Sequence, residues 1–339
     1  MDISLHIIYS ILFLALIVLC CEIFTNAIEN LGCTLKITSS ATASVFASIG
    51  TALPETIVPL VAIFFGAKNP LEIQSTMDIG VGAIFGSSFL ISTLAMFFAG
   101  LAVVVCAKKN KRKYEITVDK THTMRDLRYF MFSYIIAICA SFIKTPQTKT
   151  LIALFLLCYY IFYSIRTIIK GKNNETENNS ELLICKYLKF KPNIYLIVIQ
   201  LLLSILGLIF VSRLFVQEIS DFSKLLMVPP LILSILITPY ATELPEITNS
   251  VLWLSKNQDD YAISNLTGAL VFQGTIPMAI GIILTPWIFE KSTIIAIISV
   301  LLSTLLLYYG IYFKNKITVK SLLFSGIFYL LFIIAMFII

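Results

Sequence analysis

Residues 49–56 read IGTALPET, and residues 240–247 read YATELPEI. Both contain a small residue followed by Thr-x-Leu-Pro-Glu: Gly50, Thr51, Leu53, Pro54 and Glu55, then Ala241, Thr242, Leu244, Pro245 and Glu246. Each copy lies inside a long apolar run. A proline within a helix has no N–H, and its ring clashes with the carbonyl four residues back. Pro54 therefore frees the carbonyl of Gly50, and Pro245 frees that of Ala241. In hydrocarbon a freed carbonyl is costly until something satisfies it, and a cation can. Thr51 and Thr242 add hydroxyl and carbonyl oxygens beside each break. Glu55 and Glu246 add a carboxylate one residue beyond each proline. This hard-oxygen donor set suits Ca²⁺ or Na⁺ rather than soft metals. An acidic residue at the centre of a spanning helix costs about 2.5–3.5 kcal/mol, so it implies a function. The structural alternative, a kink braced by a buried ion pair, needs a base. No Lys or Arg lies centrally in any of the apolar runs.

The surrounding chain supports a membrane setting. It has 339 residues, 58% apolar and only 13% charged. A soluble domain has about 25% charged residues, so an ordinary soluble enzyme, a disordered chain and a disulfide scaffold are excluded. The seven cysteines are scattered and the two histidines, His6 and His122, are far apart. No zinc or haem site is indicated. Hydropathy breaks divide the chain into spans near 5–25, 38–66, 77–106, 128–144, 149–169, 193–214, 227–254, 261–285, 291–313 and 320–339. With the N-terminus outside, 19 of the 25 basic residues fall on inside loops: Lys36, eight from Lys108 to Arg128, six from Arg166 to Lys191, Lys256, Lys314, Lys316 and Lys320. The positive-inside rule thus places both termini outside a plasma membrane. The apolar run at the N-terminus reads as a first span rather than a cleaved signal.

Residues 170–181, GKNNETENNSEL, cannot bury a core and read as a polar inside linker. The chain then divides into a first five-helix repeat at 1–169, a linker at 170–192 and a second repeat at 193–339. Five is odd, so related halves run inverted to each other, the plan of many secondary transporters. The expected fold is an all-α membrane protein of about ten transmembrane helices in two inverted-topology repeats. A looser pairing of residues 80–86 with 262–268 agrees with it.

These features make the sequence recognisable. GTALPE (50–55), ATELPE (241–246), DIGVGAIFGSS (78–88), AISNLTGA (262–269) and CEIFTNAIENLG (21–32) resemble the sodium/calcium exchanger family. The resemblance implies a ten-helix antiporter in which the second, third, seventh and eighth spans enclose ions at the midplane. Na⁺ entry then drives Ca²⁺ out. The family's repeat glutamates match Glu55 and Glu246, and its threonines match Thr51 and Thr242. The departures are Ala52 and Glu243 in place of the Ser after each Thr, and Ile91, Ala269 and Gln273 where the third and eighth spans carry polar ligands. Ser87 and Gln273 keep polar side chains. Glu243 and Glu246, at i and i+3, can share a helix face. Glu243 is expected either to stand in for the missing acid of the eighth span or to act as a gate or face another helix.

The expected ligand set is therefore Glu55, Glu246, Thr51, Thr242, Gly50, Ala241, Glu243, Ser87 and Gln273. The expected function is Na⁺/Ca²⁺ exchange by alternating access. H⁺ is the alternative coupling ion, since closely spaced acids disfavour shared ionisation. No enzyme activity, resident cofactor, nucleic acid or obligate protein partner is indicated; the partners are inorganic cations and the lipid bilayer. Further expectations place Asn265 and Thr267 near the site, Asn249 behind Glu246, and Glu22, Asn26 and Glu29 at the inner end of the first span. Asp78 is expected to cap the third span, Gly80, Gly82 and Gly86 to permit close helix packing, and Trp253 and Trp287 to anchor at interfaces.

Overall fold

The computed structural model describes residues 3–34, 54–170, 182–188, 193–314 and 316–338. All regular structure among them is helical. In chain order the helices are α1 (Ile3–Thr34), α2 (Pro54–Phe65), α3 (Ile73–Leu90), α4 (Met96–Lys108), α5 (Lys120–Cys139), α6 (Pro146–Lys170) and the short α7 (Leu183–Leu188). There follow α8 (Ile194–Leu226), α9 (Pro230–Ser255), α10 (Asp259–Gln273), α11 (Ile276–Leu284), α12 (Lys291–Lys314) and α13 (Val319–Ile338). A π turn at Ile91–Ala95 joins α3 to α4. Seven segments are long and apolar enough to cross a membrane. Helix α2 is shorter, and α5 and α9 carry more polar residues, so apolar length alone does not establish a count of ten.

Inner and outer helices differ in what they bury. In the most apolar stretch of α1 only 22% of residues are buried, against 72% in α10–α11. Helix α1 thus presents Ile7, Ile8 and Ile11 outward, where lipid replaces water as the apolar surround. Helix α3 lies at the centre and packs most extensively on α9. Two glycines make that approach possible. A Cβ on Gly82 would sit 2.7 Å from the Leu231 carbonyl oxygen, and one on Gly86 would sit 2.6 Å from Pro239 Cγ. With only hydrogens there, the two backbones come close enough to bring Ser87 of α3 to the glutamates of α9. Ser234 of α9 also donates to the Ile79 carbonyl at 2.7 Å.

Several expectations need correcting. Helix α8 continues twelve residues past the expected end at 214, so Lys224 lies in its last turn rather than in a loop. Phe215, Val216, Ile219 and Phe222 are buried at helical spacing, which keeps the helix going while Arg213, Asp221 and Lys224 face outward and Glu218 turns inward onto His6. Helix α1 likewise runs to Thr34. Helix α5 starts at Lys120, earlier than expected, because the Asp119 carboxylate accepts from the Thr121 and His122 N–H groups. Asp78 does not cap α3, which begins at Ile73; its carboxylate accepts from Gln74 at 2.8 Å. Trp287 is no interfacial anchor. It is 1% exposed, donates through Nε1 to the Ala137 carbonyl at 2.9 Å, and stacks on Phe85 at 5.3 Å. A tryptophan with its N–H satisfied packs as core.

Candidate cation site

The second copy of the repeated motif sits inside α9, which passes through both Pro239 and Pro245 without ending. Ala241 and Thr242 are buried there, and Glu243 and Glu246 point to one face. The first copy enters the described structure at Pro54, the first residue of α2. Glu55 follows it directly. Gly50, Thr51 and Ala52 lie outside the described residues.

Glu55, Glu243 and Glu246 converge. Each offers an oxygen, and these oxygens all lie within 4.8 Å of one another. The three residues are 2%, 0% and 2% exposed. Gln273, the last residue of α10, donates its amide to Glu243 Oε2 at 2.9 Å. The Thr242 hydroxyl donates to Glu243 Oε1 at 3.2 Å, and Ser87 lies against the same carboxylate. Both oxygens of Glu55 are buried with no hydrogen-bond partner among the described residues, and neither Glu55 nor Glu243 enters an ion pair among them. At a separation near 4.8 Å and an effective dielectric of 20, each pair of ionised carboxylates repels by roughly 3–4 kcal/mol. Three such charges are stable together only when cations or protons neutralise them. The set is acidic, oxygen-only and enclosed by α2, α3, α9 and α10, which fits a divalent cation.

A profile of the sodium/calcium exchanger protein family matches residues 5–169 and 196–338. The chain belongs to the sodium/calcium exchanger family. The Escherichia coli K12 inner membrane protein YrbG is 23% identical over 241 residues, covering 70% of this chain and 67% of YrbG. Among solved structures, the H⁺/Ca²⁺ exchanger CAX aligns over 97% of this chain and 81% of its own, with a TM-score of 0.72 and 13% identity. The sodium-calcium exchanger NCX_Mj aligns over 98% of this chain and 99% of its own, with a TM-score of 0.59 and 19% identity. These likenesses establish a shared all-helical transporter fold in a multi-pass membrane protein. As in the family, no enzyme chemistry or resident cofactor is involved.

The other expected residues divide. Glu243 faces the cluster, not another helix. Asn265 donates to the Glu246 carbonyl at 3.2 Å and to Ser250 Oγ at 3.1 Å, so it braces α10 on α9 from behind the site. Thr267 is elsewhere: its hydroxyl donates to Asp126 Oδ2 at 3.2 Å. Asn249 is half-buried and Glu22 exposed, whereas Asn26 accepts from the Leu183 N–H and Gln200, tying α1 to α7 and α8. Ile91 is fully buried in the π turn and brings no side-chain oxygen.

Sequence reasoning missed Asp126, which is 3% exposed and bound by Arg125 at 2.9 Å. The stretch MRDLRY around it reads as loop because charges crowd it. The available signal was Asp119, a cap placed just ahead of Lys120.

Replacing Gln273 by Leu keeps the side chain's bulk and removes its hydrogen bond to Glu243. Hydrogen bonds to charged groups are worth about 1.5–3 kcal/mol. The Ca²⁺ concentration for half-maximal transport is therefore expected to rise about tenfold or more, read from ⁴⁵Ca²⁺ flux in proteoliposomes.

Proposed function

We propose that this exchanger-family chain is a secondary active antiporter that moves Ca²⁺ against Na⁺ by alternating access. Glu55, Glu243 and Glu246 hold the divalent cation, and the oxygens of Thr242, Ser87 and Gln273 complete or brace its shell. Gly50, Thr51 and Ala241 contribute carbonyl or hydroxyl oxygens at the proline breaks. The observation that carries this reading is the convergence of three buried carboxylates within 4.8 Å on helices that reach them from both halves of the chain. The halves at 1–169 and 193–339 act as the two rocking units, with both termini outside the plasma membrane. NCX_Mj, a sodium-calcium exchanger by its name, shares the fold.

A second reading keeps the site and replaces Na⁺ by H⁺. The observation favouring it is the shortage of neutral oxygens: Ile91 and Ala269 offer none from their side chains beside three carboxylates that protons can neutralise directly. CAX, an H⁺/Ca²⁺ exchanger by its name, also shares the fold. Proteoliposomes with a Na⁺ gradient at equal pH, and then a pH gradient without Na⁺, separate the two. Ca²⁺ accumulation is expected under the Na⁺ gradient. Accumulation only under the pH gradient would establish proton coupling, and none under either would overturn the antiport reading.

A further inference from the structure

Loop arginines in a membrane protein ordinarily face water, and Arg112 was counted with the charges that orient the spans. Its side chain is instead 2% exposed. Helix α4 ends at Lys108, the chain turns through Asn110 in the left-handed region, and Arg112 is directed inward from the connection 109–119. Its Nη1 donates to the Leu254 carbonyl at 2.6 Å, and its Nη2 to the Glu115 carbonyl at 2.6 Å and to Asp259 Oδ2 at 2.9 Å. Leu254 lies in the last turn of α9, where helix carbonyls lack helical partners. Asp259 is the first residue of α10. One planar guanidinium thus holds the end of one helix and the start of the next, which a lysine's point charge cannot do with the same geometry.

The backbone of the connection adds two more bonds. The Thr117 N–H donates to Asp259 Oδ2 at 2.9 Å, and the Asp119 N–H donates to Asp260 Oδ1. The α9–α10 hairpin is also braced internally. Asn265 bonds the Glu246 carbonyl and Ser250 Oγ, while Ser250 Oγ donates to the Ala262 carbonyl at 3.1 Å. Freeing the hairpin from the connection would therefore move Glu246 and Gln273 with it.

This contact borders a cleft of about 660 Å³ lined by Arg112, Lys113, Glu115, Asn257, Asp260 and Tyr261. Asp259 Oδ1 is buried there with no hydrogen-bond partner among the described residues. A half-satisfied buried carboxylate is costly, so the closed contact is held against an opposing cost and is poised to release.

We propose that Arg112 is the latch of the cytoplasmic gate: it clamps the α9–α10 hairpin to the 109–119 connection and so sets which face of the membrane reaches the acid cluster. The inference rests on the antiport reading. Releasing the latch favours the inward-facing state. Apparent affinity scales with the fraction of protein in the competent state, so affinity for Ca²⁺ rises at the inner face and falls at the outer face.

The test is ⁴⁵Ca²⁺/Ca²⁺ self-exchange in proteoliposomes of defined orientation, which requires no assumption about the coupling ion. Arg112→Lys and Asp259→Asn are expected to shift the two half-saturation values in opposite directions, by about threefold or more each. A simple staple would lower the maximal rate and leave both values unchanged, or weaken both; either result would overturn the proposal. Should Arg112→Lys not fold, Asp260→Ala removes the oxygen to which the Asp119 N–H donates, leaves the Arg112 contacts in place and carries the same opposite-shift expectation. Absence of any self-exchange by the wild-type protein would overturn the antiport reading and the latch together, whereas an active wild type without opposite shifts would overturn the latch alone.

Discussion

Glu55→Gln is expected to lower gradient-driven Ca²⁺ uptake by roughly a hundred- to several-thousandfold while leaving the protein folded. Glutamine preserves the shape of the side chain and removes its charge. Losing one partner of a buried charge contact costs about 3–5 kcal/mol, and each 1.4 kcal/mol is about a factor of ten. The stability readout has an unusual sign. In chelator, the variant is expected to melt no lower than wild type, because one of three mutually repelling buried carboxylates is gone. With Ca²⁺ at a hundred times its dissociation constant, wild type should gain about 2.7 kcal/mol, and the variant almost none. Uptake close to wild type in Glu55→Gln would remove Glu55 from the site. A chelator-state melt well below wild type would instead show that the carboxylate is structural.

Gly86→Leu is expected to prevent folding altogether. The Cβ alone would meet Pro239 Cγ at 2.6 Å and the Ile235 carbonyl oxygen at 2.7 Å. The second of these atoms is backbone and cannot swing away. Overpacking usually costs about 1–3 kcal/mol; with a leucine forced between two backbones the cost should reach about 4 kcal/mol or more, which places it among exceptional substitutions. Gly86→Ala provides the graded comparison at about 1–3 kcal/mol. The yield of monodisperse protein in detergent and its thermal melt decide the matter. A Gly86→Leu protein that purifies and melts like wild type would mean that α3 and α9 do not depend on this approach.

The acid cluster was legible in the sequence because charge is so scarce in the apolar runs. Glu55 and Glu246 stood out beside their prolines, and the i, i+3 spacing correctly suggested that Glu243 faces the same way. The choice between its roles needed three dimensions, since only the packing of α10 on α9 reveals Gln273 at 2.9 Å. Helix limits were less legible. A charged residue ends an apolar run in a hydropathy reading, yet α8 carries Arg213 on its exposed side and continues on its buried one. Arg112 and Asp126 were hidden for the same reason. Charges in a basic stretch are interchangeable to a count of loop charge, and only the fold distinguishes a buried guanidinium from a solvated one. Trp287 shows the converse error, where position near a span end suggested an interface and the pairing with Ala137 and Phe85 made it core.

The lengths of α1 and α8 have a consequence for the surrounding bilayer. At about 1.5 Å per residue, their 32 and 33 residues extend about 48–50 Å, well past a hydrocarbon layer of about 30 Å. The two helices pack extensively on each other, so they must lean or protrude as a pair. Leaning couples the pair to membrane thickness: thinner lipid favours a greater lean and thicker lipid a more upright stance, at fractions of a kcal/mol per ångström of mismatch. Acyl-chain length thereby becomes a mechanical input to a protein whose acid cluster sits on α2 and α9, the helices against which this pair packs.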